Sequence, residues 1–242
     1  MKDMDLGHIV LIICQERRFK MKYRRIISVG GHHLDAELMG GPLMIKYALQ
    51  GAHCTFVNVT EGRLEGNATD QEKQAYLDNI RKENAEVAQN MKCDHYNMGY
   101  TAKTLPSQAE FIQLLMDYIK KEGVDLVITH WRGTMHPRHL FTYETVTQAC
   151  LKLRQEGYPV NLLYGENCED LVGFIPTCYV TLNDEIVDTW FNALEGYTIF
   201  RGKVNSVPYR QYYEAMLKVR KIEGGSVHPV KAYMHAPLFD NE

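Results

Sequence analysis

Two histidine-bearing clusters have the residue types and the setting to do chemistry. The first, Gly30-Gly31-His32-His33-Leu34-Asp35-Ala36-Glu37, follows the apolar run Ile26-Ile27-Ser28-Val29. The second, His136-Pro137-Arg138-His139, comes shortly after Val124-Asp125-Leu126-Val127-Ile128. Short apolar runs of this kind read as buried strands, and open α/β sheets bind ligands in the loops at the carboxyl ends of their strands. Histidines and acids from two such loops can converge on one metal. Two imidazoles and a carboxylate, with a position left for water, make the catalytic form of a zinc site. Taken singly, each His or Asp reads as a loop residue that caps a helix or satisfies the backbone. The two clusters together favour a metal.

The first cluster continues into Gly40-Gly41 and then Lys46-Tyr47-Ala48-Leu49-Gln50-Gly51. On these residues the chain resembles the LmbE-like (PIG-L) family, zinc hydrolases that remove acetyl groups from N-acetyl sugars and related conjugates. The family's first motif is His-Pro-Asp-Asp-x-Glu, followed by Gly-Gly and a helix ending Gln-Gly, and it matches here without a gap. Its second motif, His-Pro-Asp-His, matches His136-Pro137-Arg138-His139. The resemblance runs from about Lys22 to about Gln155 and weakens beyond. It implies a Rossmann-like three-layer α/β fold with a mainly parallel central sheet. It also implies His32, Asp35 and His139 as metal ligands, with His136 beside the metal to stabilise an oxyanion. Zinc suits such a mixed nitrogen and oxygen set first, and iron or manganese would accept the same donors. The implied partner is a small N-acetylated molecule.

Two positions depart from the family pattern. Where the family carries its general base this chain has Leu34, and the acid of the second motif is replaced by Arg138. Glu37 is the remaining carboxylate near the first loop, either as an acid/base or as a group that orients a metal-bound imidazole. Arg63, Arg132 and Arg138 fall in three loops expected at the same sheet edge, where together they would hold an anionic substrate group. The reading is a metal-dependent amide hydrolase. The alternative is a catalytically impaired relative that binds metal or ligand. A nucleotide-binding Rossmann domain fits poorly, because the first loop lacks the G-x-G-x-x-G spacing.

The 242 residues, 45% of them hydrophobic, suffice for one α/β domain with a full core. A net charge of −3 offers no electrostatic case for nucleic acid or an anionic membrane. Six cysteines include no C-x-x-C pair. Cys54, Cys150 and Cys178 lie in apolar segments, a pattern of reduced thiols that points to the cytoplasm. Gly7 to Cys14 is apolar but too short to span a bilayer, and a charged stretch separates it from Met21. Residues 1–20 therefore read as an amino-terminal extension and 21–242 as a single domain.

From Lys22 onward strand and helix patterns alternate, as in a parallel sheet with covering helices. Strands are expected at 25–30, 53–60, 94–98 and 124–129, the third of these resting mainly on the resemblance. Helices are expected at 41–49 and 70–91, and from Ser107, where Glu110 completes a capping box. Pro137 suits the first turn of a further helix that carries His139. In the last third, strands are expected at 158–164, 177–182 and 230–234, and helices at 185–194 and 209–222. Tyr209, Tyr212 and Tyr213 read as packing or as a subunit contact in a homo-oligomer.

Overall fold

The protein's structure, a computed structural model, describes residues 21–62 and 67–237. The expectations for residues 1–20 and for Arg63 lie outside the described residues. Five parallel strands, β1 (Arg25–Gly30), β2 (His53–Thr60), β3 (Asp94–Tyr100), β4 (Leu126–Thr129) and β5 (Asn161–Gly165), build most of the sheet. Two short strands, β6 (Cys178–Thr181) and β7 (Val230–His235), join it antiparallel, giving the order β3-β2-β1-β4-β5-β7-β6.

The parallel strands read as continuous apolar runs because helices cover both faces. Alternate residues feed two cores. Ile26, Phe56 and Ile128 join the side chains of α1 (Asp35–Ala48), α2 (Asp70–Asn90), α5 (Asp184–Leu194) and α6 (Tyr209–Glu223) on one face. Ile27, Val57 and Val127 meet α3 (Gln108–Glu122) and α4 (Pro137–Gln155) on the other. This is the expected three-layer α/β architecture with a mainly parallel sheet. The expected capping box of α3 is present, with Ser107 and Glu110 bonded in both directions.

Helix α1 begins six residues before its expected start at residue 41 and runs straight through Gly40-Gly41-Pro42. Intrinsic propensity disfavours that sequence in a helix, and packing overrides it. A Cβ on Gly40 would lie 2.6 Å from Ser28 Cβ, and one on Gly41 would lie 2.5 Å from Trp190 Nε1. The glycines let the helix sit directly on β1 and α5, which fixes the start of α1 under the first histidine cluster.

Strand β1 lies between β2 and β4, where the strand order reverses direction. A crevice opens outside the carboxyl ends of strands at such a point, and both histidine clusters emerge there. Among the described residues Cys54, Cys93 and Cys150 are buried and every cysteine is free, while Cys178, expected inside, is only partly covered on edge strand β6. No described helix is long and apolar enough to cross a membrane.

Candidate metal centre and cleft

The turn after β1 is held by backbone contacts. The Gly31 carbonyl accepts hydrogen bonds from Thr60 Oγ1 at 2.6 Å and from Thr60 N at 3.1 Å. Asp35, the first residue of α1, reaches back so that its Oδ2 accepts from His32 N at 2.8 Å. The same oxygen lies 3.2 Å from His32 Nδ1 and 3.3 Å from His139 Nε2. His139 comes from the first turn of α4, behind Pro137 at the helix start. The segment after β5 adds Asn167, whose Nδ2 donates to Asp35 Oδ1 at 3.3 Å.

Asp170, from that same segment, holds two imidazoles at once. Its Oδ2 lies 2.6 Å from His130 Nδ1 and its Oδ1 lies 2.9 Å from His139 Nδ1. Both rings therefore present Nε2 toward Asp35, and carboxylate partners of this kind fix the tautomer of ligating histidines. The two rings differ in what their Nε2 meets. His130 Nε2 accepts the Gly31 N–H at 2.9 Å, so its lone pair is committed. Two carboxylates nearby favour a cationic His130, but a protonated Nε2 would oppose that N–H, and the neutral tautomer is the one that fits. His139 Nε2 has no such donor and faces the cleft acids.

The donor atoms of His32, His136 and His139, and those of Asp35, His130 and His139, each lie within 4.8 Å of one another. The expected ligands His32, Asp35 and His139 are divided between these two groups, with His139 common to both and Asp35 Oδ2 lying 3.2 Å from His32 Nδ1 and 3.3 Å from His139 Nε2. Burial would raise the Asp35 carboxyl, but His139, His130 and His32 outweigh it and hold it well below the usual carboxylate range. Burial would lower His139, but Asp35 and Asp170 at its two nitrogens push it up to about 10. The same pair of groups thus holds a proton between His139 Nε2 and Asp35 Oδ2, one that a metal bound there would have to displace. Residues present and donor chemistry both fit a divalent metal.

These groups line a cleft of about 320 Å³. Leu34, His136, Arg138 and Glu169 line it with the candidate ligands, as do Tyr76, Thr101, Asn205 and Tyr209. The His136 ring lies 4.8 Å from that of His32 and 4.5 Å from that of His139. Its Nδ1 is buried without a partner among the described residues. Burial, with help from His139 and His32, lowers it to about 4. Leu34 adopts φ 79°, a backbone conformation rare for a bulky side chain, and presents an apolar surface to the cleft.

Other expected residues lie elsewhere. Glu37 does not line the cleft. It is completely buried, and the Tyr197 hydroxyl bridges its Oε1 (3.0 Å) and the Asn84 amide (2.9 Å). Burial pushes it up to about 7. An acid/base role at the cleft does not suit that position. Arg132 is exposed, packs its guanidinium 5.2 Å from the Trp131 ring, and is absent from the cleft lining. Of the three arginines only Arg138 is placed there, Arg63 lying outside the described residues. Sequence reasoning assigned no role to His130, Asn167, Glu169 or Asp170. The signal was an acidic stretch, Glu166-Asn167-Cys168-Glu169-Asp170, directly after an apolar strand. Glu169 Oε2 lies 3.7 Å from His139 Nε2 and is half exposed to the cleft.

Comparison with known proteins agrees with this fold. The N,N'-diacetylchitobiose deacetylase of Pyrococcus horikoshii superposes with a TM-score of 0.68 at 16% identity, covering 89% of this chain and 85% of that one. The zinc-inhibited form of the teicoplanin deacetylase Orf2 gives 0.66 at 14% identity, covering 88% and 99%. GalB, the 4-carboxy-2-hydroxymuconate hydratase of Pseudomonas putida, gives 0.71 at 13% identity, covering 90% and 98%. At these identities the likeness is one of fold. No curated protein sequence matches the chain. The family model described as PIG-L, GlcNAc-PI de-N-acetylase, matches residues 27–150, which hold both histidine clusters and most of the parallel sheet. The chain belongs to the PIG-L family.

Proposed function

We propose that the protein is a metal-dependent amide hydrolase that removes an acetyl group from a small N-acetylated, sugar-like molecule. The observation that carries this reading is the convergence of His32, Asp35 and His139 at the strand-order reversal, open to a cleft of about 320 Å³. Cavities of roughly 300 to 1,000 Å³ hold single small molecules. A bound divalent ion, zinc first among the candidates, would supply Lewis acidity that polarises a carbonyl and acidifies water.

The chain's own residues do the rest. His136, neutral at ordinary pH, sits beside the candidate ligands and can donate an N–H hydrogen bond to the oxygen that gains charge as the carbonyl is attacked. Amide hydrolysis also needs a group that takes a proton from water and returns one to the departing amine. Leu34 cannot serve and Asp35 faces the imidazoles. Glu61 also lines the cleft but accepts from Arg81 and Asn97, whereas Glu169 lies 3.7 Å from His139 Nε2 and is the carboxylate we assign this role. Asp170 keeps His130 and His139 in fixed tautomers throughout. Arg138 has no acidic partner among the described residues and would pair with an anionic group on the substrate. Turnover of a panel of N-acetyl sugars, neutral and phosphorylated or carboxylated, by zinc-loaded protein tests the whole reading.

A second reading rests on Leu34 and Arg138. A site with an apolar wall where the family has its base, and beside it a guanidinium with no acidic partner among the described residues, also suits addition of water to an unsaturated carboxylate. One structural neighbour is a hydratase with such a named substrate. Loss of ultraviolet absorbance from conjugated unsaturated carboxylates, with no amine released from acetylated sugars, would favour it. Zinc binding with neither activity would leave a ligand-binding relative.

A further inference from the structure

Glu166 to Asp170 leave β5 and carry three side chains toward the cleft: Asn167 on Asp35, Glu169 beside His139, and Asp170 on both His130 and His139. The other side of this segment meets a second set of polar groups, none of which lines the cleft. Arg220 donates from Nε and Nη2 to Glu166 Oε1 at 2.9 and 2.6 Å, and from Nη1 to Glu223 Oε2 at 2.5 Å. Lys231 Nζ donates to the Glu166 carbonyl at 3.1 Å, and Cys168 N donates to the Tyr213 hydroxyl at 3.2 Å. Glu166 and Lys231 are each 1% exposed and Arg220 is 9% exposed.

Burying ionic groups in this way returns little stability, and apolar residues of similar volume often do as well or better. The Lys231 ammonium completes its surroundings with ring faces, 4.7 Å from the Tyr213 centroid and 5.4 Å from that of Trp190. An apolar side chain would fill this space equally well. It could not grip a backbone carbonyl and a backbone amide, which is what Lys231 and Tyr213 do at two points of one short segment.

We propose that Arg220, Lys231 and Tyr213 are positioning residues for the metal centre, fixing residues 166–170 from behind and thereby setting Asp170 and the imidazoles it orients. This rests on His32, Asp35 and His139 being the metal ligands. The device links α6 and β7, at the carboxy-terminal end of the sheet order, to a site built mainly by β1 and α4. A residue that fixes a ligand's orientation is worth about 10- to 100-fold in metal affinity.

The test uses the full chain, stripped of metal and titrated with Zn²⁺ against a chromophoric chelator, with melting temperature and the visible spectrum of the Co²⁺-loaded protein read in parallel. Lys231→Met, which removes a buried charge, should melt no lower than the wild type yet bind Zn²⁺ about 10-fold or more weakly and shift the Co²⁺ bands. Tyr213→Phe, which keeps the ring and removes the hydroxyl's bonds to Cys168, should lose about fivefold, and it decides the matter if Lys231→Met does not fold. Asp170→Asn serves as the reference and should lose about 10- to 100-fold. Wild-type affinity and spectra in Lys231→Met and Tyr213→Phe, with Asp170→Asn weakened, would overturn the positioning role and leave the metal centre standing. Wild-type affinity in both Asp170→Asn and His139→Ala would overturn the metal centre, and the positioning role with it.

Discussion

Asp35 and Glu37 stand two residues apart in the first turn of α1, in two polar regions that use a carboxylate differently. Two residues along a helix is a rotation of roughly 200°, so the side chains leave on opposite faces. Asp35 faces three imidazoles and the Asn167 amide and is held ionised. Glu37 faces Tyr197 and Asn84, with one carboxylate oxygen bonded and the other buried without a partner among the described residues. Its surroundings favour the neutral acid. The first region has lone pairs and charge directed into an open cleft. The second is closed on every side and serves to tie α1 to α2 and to Tyr197. Nearness to a candidate ligand in sequence did not place Glu37 near the chemistry.

Removing a donor from the open region should have the largest effect. Asp35→Asn or His139→Ala should abolish stoichiometric zinc, read by elemental analysis of protein equilibrated with the metal, and turnover with it. Zinc retained at full stoichiometry in both would break the comparison outright. Next, Glu169→Gln should keep its zinc while kcat falls by about 100-fold, the usual range for a positioned acid/base. An unchanged kcat would remove Glu169 from that role and leave His136, the other titratable group beside the candidate ligands, to be tested for it. Arg138→Gln should raise KM for phosphorylated or carboxylated substrates by about 10-fold, since a charge-assisted pair is lost, and leave neutral ones unaffected. Equal effects on both classes would remove Arg138 from substrate recognition. The smallest effect belongs to the closed region. Glu37→Gln keeps a partner for the Tyr197 hydroxyl and should change turnover by less than about twofold. A loss comparable to that of Glu169→Gln would show that the two regions are coupled.

Much of the open region was legible because its information is local. Strands β1 and β2 match their expected limits residue for residue, since buried parallel strands are unbroken apolar runs. His32 and Asp35 announce themselves by lying three apart after the first of these. His130 was visible as the residue following β4, but nothing in the sequence pairs it with Asp170, 40 positions away. That pairing depends on β4 and β5 lying side by side, which only the folded sheet supplies. Helix α1 was misjudged at its start because Gly40, Gly41 and Pro42 argue against a helix until Ser28 and Trp190 are seen against them. Glu37 was misplaced because spacing from a motif says nothing about which face of a helix turns inward. The antiparallel return of β7 between β5 and β6 has no local signature either.

The buried amine of Lys231 gives the folded chain an unusual response to alkali. Burial lowers it to about 8 from an ordinary 10.5, with Glu166 opposing and Arg220 adding to the shift. The other groups that face it, the Cys168 thiol and the Tyr213 phenol, are both pushed upward by burial. Between those two pH values the unfolded chain holds a proton that the native one has released, so unfolding becomes harder as pH rises. Below pH 8 the full penalty applies, about 3 kcal/mol at 1.36 kcal/mol per pH unit. Urea unfolding at intervals from pH 7.5 to 10.5 should therefore show a component of increasing stability that disappears in Lys231→Met. Parallel pH profiles for the two proteins would count against it. Above about pH 9 the raised Cys168 thiol works in the opposite sense, so the contribution of this one amine on β7 stands out most clearly between pH 8 and 9.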